Sequence, residues 1–230
     1  MTGLIGCIIP CYNLGRFVET AVMSAMNQIR PFHSIIVLDD RSTDDSWSYI
    51  EKLPSQVQVI RFTENRGYAR TRNIGALVTS TKYMVFLDAD DWLYSNYTQE
   101  VLPTFDNYAH VGIVCPEVDA DGITVAGGPW PAPHDDSLER LREQNYVWAA
   151  SAVNRHAFME VGGFDYRFEP AADWALWYQI RERGWRIKGL HQPLWHWRDR
   201  PDGLHTTIRD EDIRNRMRKI WEAGPSAEVS

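Results

Sequence analysis

The chain has 230 residues, 44% of them hydrophobic, and no low-complexity tract, so it can bury a substantial core and is neither fibrous nor disordered. No apolar run approaches the roughly 20 residues that cross a bilayer, and Met1-Thr2-Gly3-Leu4-Ile5-Gly6 carries neither a basic segment nor a cleavage signal, which argues for a cytoplasmic protein without an integral membrane segment. The net charge of −7 argues against broad polyanion binding. That charge is uneven: residues 1–180 hold 13 Lys and Arg against 23 Asp and Glu, whereas residues 181–220 hold 11 against 6. A basic C-terminal segment on an acidic body can set cations over a phosphate-bearing ligand. Cys7, Cys11 and Cys115 are odd in number and show no metal spacing, as expected of reduced thiols.

In chain order, Leu4–Ile9 is an apolar strand stopped by Pro10, and Leu14–Asn27 has helical spacing at Phe17, Ala21, Val22 and Ala25. Ser34–Leu38 and Val57–Phe62 read as strands, Thr43–Leu53 and Tyr68–Val78 as helices, and Tyr83–Leu87 as the fourth strand. This alternation predicts an α/β fold with a mostly parallel sheet flanked by helices. The second half is less regular. A helix is expected over Ser95–Tyr108, disturbed at Pro103, then strands at Val111–Cys115 and Val147–Val153, a hairpin turn at Asp119–Gly122 and helices at Ala171–Arg183 and Ile208–Trp221. Gly127–His134 is too rich in Gly and Pro for regular structure and reads as a lid or acceptor loop.

Ligands of such sheets bind beyond the carboxyl ends of the strands. Polar residues gather there four times: Tyr12-Asn13, Asp39-Asp40, Asn65-Arg66-Gly67 and Asp88-Ala89-Asp90-Asp91. The last set crowds three carboxylates at the mouth of an apolar strand, an arrangement that calls for a cation or a hydrogen-bond network. Mg²⁺ or Mn²⁺ with a diphosphate suits it, because such ions take one or two carboxylates and complete their shells with water and phosphate oxygens.

Cys7-Ile8-Ile9-Pro10-Cys11-Tyr12-Asn13, Val37 through Ser46, and Asp88–Asp91 resemble the signatures of family 2 glycosyltransferases. Asn65-Arg66-Gly67 through Gly75, and Gly162-Gly163-Phe164-Asp165 through Asp173-Trp174, extend the likeness in order over roughly residues 3–200. The resemblance implies one GT-A domain over residues 1–230, with a nucleotide-sugar-binding half (1–110), an acceptor and catalytic half (111–205) and a C-terminal helix and tail (206–230). It implies inverting transfer from a nucleotide-diphosphate sugar, a UDP-sugar first, with Mn²⁺ or Mg²⁺ as cofactor.

Carried over position by position, the resemblance assigns Pro10, Tyr12 and Asn13 to the first donor loop, with Tyr12 stacking on the base, and Asp40 to the ring imide of uracil or thymine. Arg41 stands where glycine is usual. Arg72 forks onto phosphate or base oxygens. Asp88 and Asp90 form the DXD metal–donor motif, with Asp90 as metal ligand, Asp91 as its near alternative and Asp88 free to orient ribose or sugar hydroxyls. Asp173 matches the base that deprotonates the acceptor hydroxyl. Ala172 replaces the Glu usual before it, and Glu169 is a candidate substitute. Arg198 falls where a diphosphate contact is expected, and His196 and His205 where a further metal ligand is. Trp130, Trp148, Trp174, Trp177, Trp195 and Trp197 offer rings for stacking on a sugar.

The acceptor is left open among a saccharide, a lipid-linked sugar, a protein and a modified DNA base. Two readings of other classes stand beside transfer. A nucleotidyltransferase would need a Gly-rich triphosphate loop, which Pro10–Gly15 does not supply. A non-catalytic nucleotide-sugar-binding module would keep the first four loops and have no need of Asp173.

Overall fold

The computed structural model describes residues 4–106, 110–114, 117–118, 137–203 and 210–223. Cys115, the Asp119–Gly122 turn, the Gly127–His134 loop with Trp130, and His205 lie outside the described residues. Strand β1 (Ile5–Cys11) is followed by α1 (Gly15–Met26), β2 (Ser34–Asp39), α2 (Ser46–Ile50), β3 (Gln58–Arg61), α3 (Tyr68–Val78) and β4 (Tyr83–Phe86). These four strands are mutually parallel in the order β3-β2-β1-β4. Burial alternates along them. Ile5, Cys7, Ile9, Val37, Tyr83 and Val85 face a core shared with α1, whereas Ile8, Ile36, Leu38, Met84 and Phe86 face one shared with α3.

Pro10 does not stop β1. It lies inside the strand, opposite Leu38. Leu87 N–H donates to Ile8 O and Asp40 N–H to Cys11 O, so even-numbered residues of β1 turn their backbone toward β4 and odd ones toward β2. Pairing with β4 ends at Ile8, two residues before Pro10. The missing proline N–H therefore falls where no partner strand asks for it. β1 and β4 diverge at that point, where the strand order also reverses, and the crevice opens between them.

Beyond β4 come β5 (Trp92–Leu93), α4 (Tyr97–Val101), a 3-10 turn (Leu102–Asp106), β6 (His110–Val114), β7 (Glu117–Val118), α5 (Leu138–Glu143), β8 (Ala152–Asn154) and α6 (Arg155–Glu160). A 3-10 turn (Tyr166–Phe168), α7 (Ala172–Glu182), β9 (Ile187–Pro193), β10 (Trp195–Arg198) and α8 (Asp210–Ala223) complete it. The expected helix over Ser95–Tyr108 divides into α4 and the 3-10 turn that holds Pro103, consistent with the N–H that proline lacks. The sheet continues as β8-β6-β9, with β8 antiparallel to both neighbours. A small second sheet, β5-β10-β7, clasps the crevice from the C-terminal side. No helix among the described residues is long and apolar enough to cross a membrane.

Helix α3 lies tight on β1 because Gly75 has no side chain. A Cβ there would meet Ile8 Cγ2 at 2.4 Å and Leu38 Cδ1 at 3.1 Å. Both neighbours are buried, so the helix itself must lift. Gly75→Ala is expected to lower stability by roughly 1–3 kcal/mol in urea unfolding, despite the better helix propensity of alanine. A stability equal to or above that of the wild type would contradict this close approach.

Candidate active site

The first two crevice loops hold each other. Asn13 adopts a left-handed backbone (φ 55°) and its Oδ1 accepts from Thr43 N–H at 2.8 Å, while its own N–H donates to Ser42 Oγ at 3.0 Å. Asp39 Oδ1 accepts from Ser42 N–H at 3.0 Å, and Arg61 lies 3.2 Å from Oδ2. Arg41 also has a positive φ, of 63°, the conformation that explains why glycine is usual there. Tyr12 is exposed beside this knot, with 45% of its surface open to a ligand.

Asp40 is buried, and its two oxygens accept from Arg66 N–H at 2.7 Å and Gly67 N–H at 3.0 Å. The second loop thereby positions the third. Burial pushes the Asp40 carboxyl above its ordinary value, against the lowering effect of those bonds. These bonds do not exhaust the four lone-pair sites of a carboxylate, so it can still accept from a base.

The three carboxylates after β4 have three different partners. Asp88 pairs with the Arg72 guanidinium, which also lies 4.5 Å from the Tyr68 ring centre and 5.7 Å from that of Phe164. Burial disfavours the Arg72 cation, but Asp88, Tyr68 and Asp173 outweigh it and raise its proton affinity. Asp91 is turned inward. Its Oδ2 accepts from Trp195 Nε1–H and its Oδ1 from Arg198 N–H, both at 2.9 Å. Those bonds fasten β10 to the loop and occupy the carboxylate that the sequence left equivalent to Asp90. The hydrogen bond to the Asp90 carboxylate comes from its own backbone N–H. Arg200 Nη1 stands 3.5 Å from its Oδ2, and burial together with Asp88 pushes its carboxyl up to about 6, against Arg200 and Arg198.

Arg200 escaped the sequence reading. It is buried, yet its Nε and Nη1 have no hydrogen-bond partner among the described residues, only ion-pair contacts to Asp90 and Asp202. The positive balance of residues 181–220 was its one signal, and that did not single it out. Arg198 Nε donates to Asp90 O at 2.9 Å, and its guanidinium lies over Phe17 and Trp92. The His196 ring stacks between Trp92 and Tyr94, at 4.7 and 4.1 Å, and burial lowers its proton affinity. Among the described residues no three His, Cys, Asp or Glu side chains form a metal cage. A divalent ion on Asp90 nonetheless fits, since its charge would offset a carboxylate crowded by Asp88, and unpartnered Arg200 donors lie beside it for phosphate oxygens.

Asp173 occupies the first turn of α7, within reach of the charges of Arg72 and Asp88. Asn145 Nδ2–H donates to its Oδ2 at 3.0 Å. Burial raises its proton affinity, opposed by Trp174 N–H, Arg72 and Asn145 and reinforced by Asp88. Glu169, the candidate substitute for the missing Glu, directs its Oε1 to Ala69 N–H at 3.0 Å, at the start of α3. Tyr68 returns the contact by accepting from Ala172 N–H at 2.9 Å. The expected platform of tryptophans is also reduced, since Trp174, Trp177 and Trp195 are core residues.

The glycosyl transferase family 2 model matches residues 7–162. The chain belongs to that family. It is 31% identical over 198 residues to the UDP-Glc:alpha-D-GlcNAc-diphosphoundecaprenol beta-1,3-glucosyltransferase of Escherichia coli, covering 82% of this chain and 74% of that one. It is 27% identical over 195 residues to the chondroitin synthase of Pasteurella multocida, covering 82% of this chain and 20% of that one. Among solved structures, S. aureus TarS 1-349 in complex with UDP-GlcNAc superposes with a TM-score of 0.75 at 19% identity, over 94% of this chain and 65% of that one. At that identity the likeness is one of fold, and this family 2 glycosyltransferase has the GT-A architecture.

The raised Asp90 carboxyl has a measurable sign. The unfolded chain ionises it near 3.8 and the folded chain near 6, so the folded state of the metal-free protein loses relative stability as pH rises between those values. In EDTA, Asp90→Asn is expected to melt above the wild type at pH 7 and level with it near pH 4. A variant that melts below the wild type at pH 7 would mean that the Arg200 contact outweighs the crowding.

Proposed function

We propose that this protein is a metal-dependent, inverting glycosyltransferase that moves a sugar from UDP to a saccharide hydroxyl. The observation that carries the proposal is that the Arg72–Asp88 pair lies, in charge, between two carboxylate environments. Asp88 raises the proton affinity of both Asp90, which has Arg198 and Arg200 beside it, and Asp173, which Arg72 also faces. The UDP-GlcNAc named for the TarS complex and the UDP-Glc named for the Escherichia coli relative support the choice of nucleotide. That relative's name also specifies a GlcNAc-diphosphoundecaprenol acceptor, which supports a lipid-linked saccharide here.

In this mechanism Tyr12 stacks on uracil and Asp40 accepts from its ring N–H. Asp88, held by Arg72, orients sugar or ribose hydroxyls. Asp90 is the metal ligand, and Mn²⁺ or Mg²⁺ there supplies Lewis-acid neutralisation of the departing diphosphate. Arg200 directs its unpartnered N–H groups at the same oxygens, and Arg198 closes the loop over them. Asp173 takes the proton of the acceptor hydroxyl as that oxygen attacks the anomeric carbon from the face opposite UDP. Its raised proton affinity suits it to the task, since a general base works best when its pKa lies near the working pH.

Two outcomes follow. UDP with Mn²⁺ is expected to raise the melting temperature, and Asp90→Asn to remove the Mn²⁺-dependent part. Stabilisation by no nucleotide diphosphate would overturn the donor assignment. Asp173→Asn is expected to lower turnover by about 10²–10⁴-fold while leaving UDP affinity within about twofold. Unchanged turnover would remove Asp173 as the base.

A further inference from the structure

Asn145 belongs to none of the sequence motifs, yet it makes the side-chain hydrogen bond to the carboxylate of Asp173. It lies two residues beyond α5, in an extended stretch, and its amide is fixed at both ends. Oδ1 accepts from Val147 N–H at 3.1 Å, which leaves Nδ2 to donate to Asp173 Oδ2 at 3.0 Å. A reversed amide would oppose oxygen to carboxylate and NH₂ to N–H, so two independent contacts select one orientation.

The remaining groups around Asp173 come from three directions. Trp174 N–H bonds to the carboxylate from α7 itself. Arg72 and Tyr68 face it from α3, and Asp88 from the loop after β4. Tyr68 feels the charge of Asp173, but its hydroxyl oxygen accepts from Ala172 N–H, and Glu169 accepts from Ala69 N–H. Arg72 is committed to Asp88. Among the described residues, Asn145 is the neutral side chain hydrogen-bonded to this carboxylate, and the bond restrains its rotamer.

We propose that Asn145 is the positioning residue of the general base: it immobilises Oδ2 of Asp173 and so determines which oxygen lone pairs are left to receive the acceptor proton. The proposal rests on Asp173 being that base. It also assigns a role to the stretch after α5, which delivers the amide from the acceptor half of the chain. The donor bonds to the charged form of the carboxylate and favours it, so removing Asn145 must make Asp173 easier to protonate. Replacement by aspartate keeps the size and the Val147 contact but sets a second carboxylate about 3 Å from the first, so that the pair holds a proton more tightly still.

The test is a carboxyl ¹³C NMR titration of the nucleotide-free protein, with the Asp173 signal identified by its loss in Asp173→Asn. The midpoint of Asp173 is expected to rise by about one pH unit in Asn145→Ala, and further in Asn145→Asp. In the same variants the acid limb of kcat/KM for UDP-sugar hydrolysis moves to higher pH by a matching amount, while UDP affinity stays as in the wild type. A midpoint unchanged in Asn145→Ala overturns the proposal; if that variant does not fold, an unchanged midpoint in Asn145→Asp does so. The titration needs no turnover, so it separates the two claims. Full hydrolysis by Asp173→Asn would overturn the base assignment even where Asn145 is found to hold Asp173.

Discussion

The pairing of Arg72 with Asp88 is the interaction on which the crevice depends. Five carboxylates, Asp39, Asp40, Asp88, Asp90 and Asp91, emerge from the ends of two parallel strands, and Asp173 faces them. Such a concentration of like charge is destabilising unless each member has its own partner. Here each does: Arg61 for Asp39, two backbone N–H groups for Asp40, Arg72 for Asp88, Arg200 for Asp90, and Trp195 with Arg198 N–H for Asp91. Asp90 has the longest of these ion pairs, Arg200 Nη1 at 3.5 Å, and takes its hydrogen bond from its own backbone N–H. A site that leaves one carboxylate under-compensated, with unpartnered arginine donors beside it, is suited to receiving a cation and an anion together.

Arg72 has a second consequence, because the helix that carries it is tied to the helix that carries Asp173. Glu169, from the segment before α7, accepts from the first turn of α3, and Tyr68 on α3 accepts from the first turn of α7. Each helix thus satisfies an otherwise orphaned N–H of the other. Asn73 strengthens the link by exchanging two hydrogen bonds with the backbone of Phe164, at 2.7 and 2.9 Å. Helices α3 and α7 are registered by short polar contacts rather than by the hydrophobic core alone.

The first four strands and three helices were legible because each is an apolar run or a helical repeat that local pattern declares. So were the four polar loops, since parallel topology sends all carboxyl ends to one edge. Pro10 misled because a proline looks like a terminator unless the pairing on each side of the strand is known. Strands β5, β7, β9 and β10 and helices α5 and α6 were missed, and of the strand expected at Val147–Val153 only the end survives, in β8. They are short or mixed in polarity, and β10 forms through long-range pairing with β5 and β7. The site residues divide along the same line. Asp88, Asp90, Asp91 and Asp173 were legible as residues in a pattern, but the inward turn of Asp91 depends on Trp195 and Arg198, a hundred residues away. Arg200 and Asn145 had no pattern to announce them, and Glu169 carried a charge whose destination only the packing of α3 against α7 reveals.

In the proposed mechanism leaving group and base occupy opposite sides of the Arg72–Asp88 pair. A crystal structure of the protein soaked with UDP and Mn²⁺ tests it most directly. The ion is expected on Asp90, the diphosphate between that ion and the guanidinium of Arg200, uracil against Tyr12, and Asp173 unliganded across an open space bordered by Asn145. An ion or a diphosphate oxygen bound to Asp173, with Asp90 still paired only to Arg200, would contradict it.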